Sequence, residues 1–217
     1  MENNYETITK IDSSTLWKNI MFQPKETFKY IFEHISKESV FIFFVLAGIA
    51  KAVDRLLDKE LVNNPFDVGQ LAIRIILGGA LGWISYYIIA WFLEFAGGLL
   101  KGKATLSQYK RVLAWSLVPV IISLFILIPQ YFIYGAGSNN AVWETGFSMS
   151  STGLVIFTVL TSILDLWALV ILVIGVAFIQ NFSIGRAILN IVLPILVIGG
   201  ALLGFIALIA LLNGKGI

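Results

Sequence analysis

The 217-residue chain is 58% hydrophobic and 13% charged, where ordinary soluble domains run at roughly 45–50% and 25%, and its mean hydropathy is +0.89. It reads as an integral membrane protein of one domain, with most residues committed to spans and no length left for a soluble catalytic domain. A net charge of +2 is too small to point to nucleic acid; no Cys and a single His, His34, argue against disulfides, thiolate nucleophiles and Cys- or His-based metal sites, and no cofactor is expected.

The opening MENNYETITKIDSS is polar and mixes acids with bases, so it reads as neither signal nor transit peptide, and the first span is expected to act as the insertion signal. Ser13, Ser14 and Thr15 offer caps to LWKNIMF, which Pro24 ends. Between Lys25 and Lys37, Phe28, Ile31, Phe32 and Ile35 recur at i, i+3, i+4 and i+7, while Lys29, Glu33 and Lys37 follow one another at i+4 on another face. Residues 1–37 are therefore read as a cytoplasmic segment with an amphipathic helix. That helix either lies in the interface, with Trp17 as headgroup anchor, or packs on the end of the bundle.

Residues 38–213 read as an all-α, polytopic transmembrane helical bundle with about five spans, near 40–57, 71–93, 112–134, 154–178 and 187–212. In the first, the clean run VFIFFVLAGIA is short, and crossing requires Lys51 and Arg55 to snorkel outward while Asp54 pairs with one of them. A turn-rich loop, LVNNPFDVG, follows. The second span carries Arg74 near its start, Glu94 at its far end and a small-xxx-small pair, Gly78 and Gly82; Gly97 and Gly98 are expected to end it. Lys101, Lys103, Lys110 and Arg111 make the most basic loop, a candidate cytoplasmic contact surface. Together with Lys18, Lys25, Lys29 and Lys37 they place the N-terminus in the cytoplasm and the C-terminus outside. The third span holds Pro119 and Pro129, either a possible kink, and runs into an aromatic belt at Tyr131, Phe132 and Tyr134. GAGSNNAVWETGFSMSS reads as an outer loop. The fifth contains Asn190, Pro194 and a second small-xxx-small pair, Gly200 and Gly204.

The fourth span, Leu154 to Phe178, is interrupted near its middle by one carboxylate, Asp165, and an ionisable group at mid-depth points to function by default. At 100° per residue Thr158, Thr161, Ser162, Ala168 and Gly175 fall within about 80° of it, so Asp165 is expected to face the bundle. Arg74 should sit on the order of 10 Å above it. Hydroxyls of Ser85, Tyr86, Tyr87 or Ser123 are the expected partners, one of them taking a hydrogen bond from a neutral Asp165. The candidate intramembrane polar site is thus Asp165, Thr161 and Ser162, with Arg74 nearby; the plainer reading is a structural hydrogen-bond node. An aspartyl protease needs a second carboxylate at that depth, a rhomboid-like site needs a membrane His, and no phosphate-cradling loop is present, so an enzyme is not expected. Two readings remain: a non-enzymatic scaffold or adaptor, and an ion- or proton-coupled carrier or channel built on Asp165.

Three stretches, LWKNIMFQPKETFKYIF, YKRVLAWSLVPVI and LWALVILVIGVAFIQNFSIGRAIL, together resemble the Yip-domain family of five-span, Ypt/Rab-interacting membrane proteins. Pro24, Tyr109, Pro119, Trp167 and Ser183 are the more specific positions. Where eukaryotic members carry Asp-Leu-Tyr-Gly-Pro and a Gly-Tyr pair, this chain has SKESVFIFF and Ala114-Trp115, which is more similar to shorter prokaryotic members. The resemblance implies a membrane-embedded organiser or adaptor, in a bacterial cytoplasmic membrane, with no catalytic residues. Its implied partners are the lipid bilayer, other membrane proteins or a second copy of itself.

The orientation is testable with alkaline phosphatase fusions: one at the C-terminus should be active and one at the N-terminus silent. The sequon Asn181-Phe182-Ser183 should lie inside and stay unmodified; activity at both fusion points would overturn the five-span arrangement.

Overall fold

The computed structural model describes residues 15–35, 40–63, 68–130 and 151–213. Among them every element is α-helical: α1 Leu16–Phe22, α2 Pro24–His34, α3 Val40–Asn63, α4 Val68–Leu99, α5 Leu106–Ser116, α6 Val118–Ile122, α7 Leu124–Gln130, α8 Ser151–Gln180 and α9 Ile184–Asn213. Three stretches are long and apolar enough to cross a membrane: Ala72–Leu99, Leu106–Gln130 and Val155–Gln180; Ile184–Val197 is a shorter apolar helix. The expected caps Ser13 and Ser14, the belt at Tyr131, Phe132 and Tyr134, and the loop after it lie outside the described residues.

The most buried element is the kinked rod formed by α5, α6 and α7, in which every residue from Val112 to Val120 is buried. Pro119 occupies the first turn of α6, where its missing N–H removes no needed bond, and the chain breaks there instead of bending a continuous helix. Ser116 and Ser123 sit at the two breaks and donate their hydroxyls to Leu113 O and Val120 O, each at 2.7 Å, so neither break leaves a hydroxyl unpaired in the core. Around this rod, α3 and α4 pack on one side and α8 on the other, and α9 lies against α8 and α4. Aromatic pairs fill the α3 seams: Phe43 meets Trp115 at 5.0 Å between ring centroids, and Phe44 meets Tyr86 at 5.4 Å.

The tightest contact joins α3 to α4. A Cβ on Gly48 would run into Gly78 O and lie 2.7 Å from Gly82 Cα, so the two backbones touch. The Gly78/Gly82 face is thus filled by the chain's own α3 and is not left for a second helix. The corresponding positions on α9 differ, since among the described residues nothing lies within 4 Å of a Cβ placed on Gly200 or Gly204.

At one end of the bundle α1 and α2 fold back on it. The stripe recognisable in the sequence is used here: Phe28 and Ile31 are wholly buried, and Phe28 closes over Gly175 of α8, where a Cβ would come within 2.8 Å of its ring. Two long side chains from the bundle clamp this hairpin. Trp167 Nε1 donates to Met21 O at 2.9 Å, and Arg111 Nη2 donates to Ile31 O and Ile35 O at 2.8 and 2.6 Å while its guanidinium stacks on Phe32. Met21 O and Ile35 O lie at helix ends, where carbonyls run out of intrahelical donors, and Ile31 O, which already accepts Ile35 N at 3.1 Å, takes Arg111 as a second donor. Of the two placements open for the amphipathic helix, its apolar stripe is packed on the bundle end, while Trp17 remains exposed.

The glycine seam gives a sharp contrast. Gly48→Ala should destabilise the protein by about 1–3 kcal/mol through overpacking, whereas Gly98→Ala, which meets nothing within 4 Å, should be neutral or stabilise by about 0.5–1 kcal/mol. Reversible unfolding in mixed SDS micelles reads both.

Candidate functional site

Asp165 faces the bundle, and its partner is a cation. Lys51 Nζ of α3 lies 2.6 Å from Asp165 Oδ2 of α8 and 3.4 Å from Asp54 Oδ2, three residues along its own helix. The pairing of Lys51 with Asp54 is as its spacing suggests, but Lys51 turns inward instead of snorkelling outward. The expected hydroxyl partners are engaged elsewhere: Ser85 donates to Leu81 O and Ser123 to Val120 O, and Thr161 turns to Phe157 O and Thr158 O of its own helix. Ser162 is exposed, and Tyr86 is within electrostatic reach of both Asp165 and Arg55. An ammonium satisfies the carboxylate better than a hydroxyl here, because a charge-assisted bond is roughly twice as strong as a neutral one. Of the four predicted site residues, the geometry brings Asp165 together with Lys51 and leaves Thr161, Ser162 and Arg74 out of its coordination.

Arg74 stands instead at a cleft of about 360 Å³ between α3 and α4, lined by Lys51, Arg55, Arg74, Ser85 and Tyr86 among others. The glycine seam is its floor, since Gly48, Gly78 and Gly82 line it as well. Arg55 is one helical turn beyond Lys51 on the same face, and Arg74 one turn before Gly78 on the antiparallel partner, which puts the two guanidiniums at a similar depth.

A second polar cluster was not legible as a unit. Tyr109 Oη donates to Asn190 Oδ1 at 2.5 Å and accepts from Gln180 Nε2 at 2.6 Å; Asn190 Nδ2 donates to Leu93 O at 2.8 Å, and Gln180 Oε1 accepts Lys103 N and Ala104 N at 2.7 and 3.1 Å. Gly97 and Gly102 permit it, because a Cβ on either would run into Tyr109 or Gln180. Contrary to the sequence reading, Gly97 and Gly98 do not end α4. The helix passes through them and closes with a Schellman turn, Gly102 N to Gly97 O and Lys101 N to Gly98 O, with Lys101 at φ 60°. The sequence signal for the cluster was three polar side chains in apolar or helix-end settings, Tyr109, Gln180 and Asn190, which nothing local connects.

The basic surface is consequently divided. Lys101 and Lys103 are exposed on the turn. Lys110 and Arg111 belong to α5, not to a loop, because Thr105 and Gln108 form a capping box and Glu94 Oε1 accepts Leu106 N at 2.8 Å, starting the helix early. Lys110 lies over the Tyr87 ring at 4.8 Å, and Arg111 is the clamp on α2. Among the described residues no three His, Cys, Asp or Glu side chains converge as a metal site.

Long apolar helices, an internal ion pair and helix ends closed by the chain's own side chains define a multi-pass α-helical membrane protein. The chain belongs to the Yip1 domain family, whose pattern matches residues 18–206. No curated protein and no solved structure matches it.

The ion pair is open to a double-mutant cycle on Lys51→Met and Asp165→Leu. Each single change should cost on the order of 2 kcal/mol, below the 3–5 kcal/mol of a fully buried pair because both side chains are part-exposed. The double variant should recover at least half of the summed loss in an SDS-unfolding assay.

Proposed function

We propose that this protein is a non-enzymatic scaffold that works through other membrane proteins or through the bilayer, with the basic turn at Lys101 and Lys103 as its contact surface. One observation carries the reading: the turn is held rigid from beneath by Gln180, which binds two of its backbone N–H groups, while both lysines point outward. A preorganised cationic turn loses little entropy on binding and meets anionic headgroups or acidic segments at about 1 kcal/mol per charge.

In this reading α3 and α9 complete five spans and the N-terminus, the α1–α2 hairpin and the turn share the cytoplasmic face of a bacterial cytoplasmic membrane. The open Gly200/Gly204 face of α9 is offered to a partner helix or a second copy. Arg111 is removed from the contact set, since its guanidinium already closes α2. The competing reading, a carrier that uses Asp165 for ion or proton coupling, has against it that Lys51 already engages this carboxylate.

In-cell photo-cross-linking separates the two. Lys101→Gln with Lys103→Gln should abolish captured partners while leaving stability unchanged, and Asp165→Asn, in protein that still folds, should leave capture intact. Liposome flux that disappears in Asp165→Asn would establish the carrier instead.

A further inference from the structure

The charge arrangement at the α3–α4 cleft is unbalanced. Lys51 is held by Asp54 and Asp165, so two carboxylates already serve one ammonium. Arg55 and Arg74 line the same cleft, yet among the described residues neither makes an ion pair or hydrogen bond. Among these five groups, Lys51, Arg55 and Arg74 against Asp54 and Asp165 leave one positive charge at a cleft whose outer wall is apolar, with Leu77, Leu81 and Ile89 all more than 40% exposed. A guanidinium in such surroundings is costly unless an anion meets it.

We propose that this cleft binds one anionic phospholipid, its phosphate held between Arg55 and Arg74 and one acyl chain lying along Leu77, Leu81 and Ile89. A phosphodiester carries the single negative charge that the cleft lacks, and guanidinium groups recognise phosphate oxygens bidentately. The long axis fits as well. From Arg74 to Ile89 the helix rises about 22 Å, more than the roughly 15 Å of one leaflet's hydrocarbon, so headgroup and chain both fit along it. The glycine floor prevents the cleft from collapsing, because α3 and α4 are already in backbone contact beneath it. The apolar wall favours a lipid over a free phosphate, which would leave that wall unused.

The proposal is independent of the scaffold reading, and its test keeps the two apart. Purified protein in neutral detergent at about 1 M salt, where exposed charges are screened within about 3 Å, is titrated with phosphatidylglycerol, with phosphatidylcholine and with glycerol 3-phosphate. Native mass spectrometry counts bound lipid and the thermal unfolding midpoint reports affinity. Phosphatidylglycerol should bind one per chain and raise the midpoint, and R55Q and R74Q should each weaken it about fivefold. L81W, which fills the apolar wall and leaves every charge in place, should abolish retention; this variant decides the matter should the arginine variants fail to fold. K101Q with K103Q, whose exposed charges are screened at this ionic strength, should leave the single cleft-bound lipid in place. Equal retention of phosphatidylcholine, undiminished binding in the R55Q/R74Q double variant, a response to glycerol 3-phosphate equal to that of the lipid, or loss on neutralising Lys101 and Lys103 would each overturn the proposal.

Discussion

The bundle depends on a phenol placed where it must find two partners. Tyr109 is wholly buried, and its hydroxyl can both donate and accept. It donates to Asn190 and accepts from Gln180, each of which completes its own hydrogen bonding on backbone groups of other elements. The end of α4, the start of α5, the end of α8 and the first half of α9 are thereby joined at one point. In a low-dielectric interior such a network is worth having only when it is fully satisfied, since one orphaned member costs about 1–3 kcal/mol. The absence of side chains at Gly97 and Gly102 makes that closure possible. Because the turn between them is anchored on Gln180, the exposed lysines stand on a fixed base.

Deeper in the bundle, the α3–α4 contact and the Lys51–Asp165 pair act together. Three glycines bring two helices to backbone contact, which removes the freedom of α3 to rotate and fixes the direction in which Lys51 projects. Lys51 then crosses to Asp165 of α8 and ties the hairpin to the other side of the rod. The same contact leaves a cleft above the glycines whose remaining cations face outward. Thus close packing, which needs the smallest residues, and charge placement, which needs the longest, arise from one seam.

Much of the architecture was legible in the chain. The helical class, three of the five expected membrane-crossing stretches, the stripe Phe28, Ile31, Phe32, Ile35 and the break at Pro119 all follow from local rules: hydropathy, the 3.6-residue period and proline's missing donor. The inward face of Asp165 was readable too, because neighbours on one helix face are set by sequence spacing alone. Helix ends were less so. A Gly pair reads as a stop, yet α4 runs through it, since packing against Tyr109 and Gln180 needs those positions bare and a Schellman turn two residues later ends the helix instead.

Partner identity was beyond the sequence. Hydroxyls were the expected ligands of Asp165, and the ligand is an ammonium 114 residues away in the chain; Arg111 looked like a loop charge and is the clamp on α2. Both errors have one cause. What a long side chain touches depends on which helices are neighbours and at what depth, and that depends on the summed packing of all of them. Periodicity determines which face a residue occupies and composition determines the solvent the chain lives in. Only the tertiary structure, by bringing Gly48 against Gly78 and Gly82, decided that Lys51 would reach Asp165 and that Arg55 and Arg74 would be left facing an open cleft.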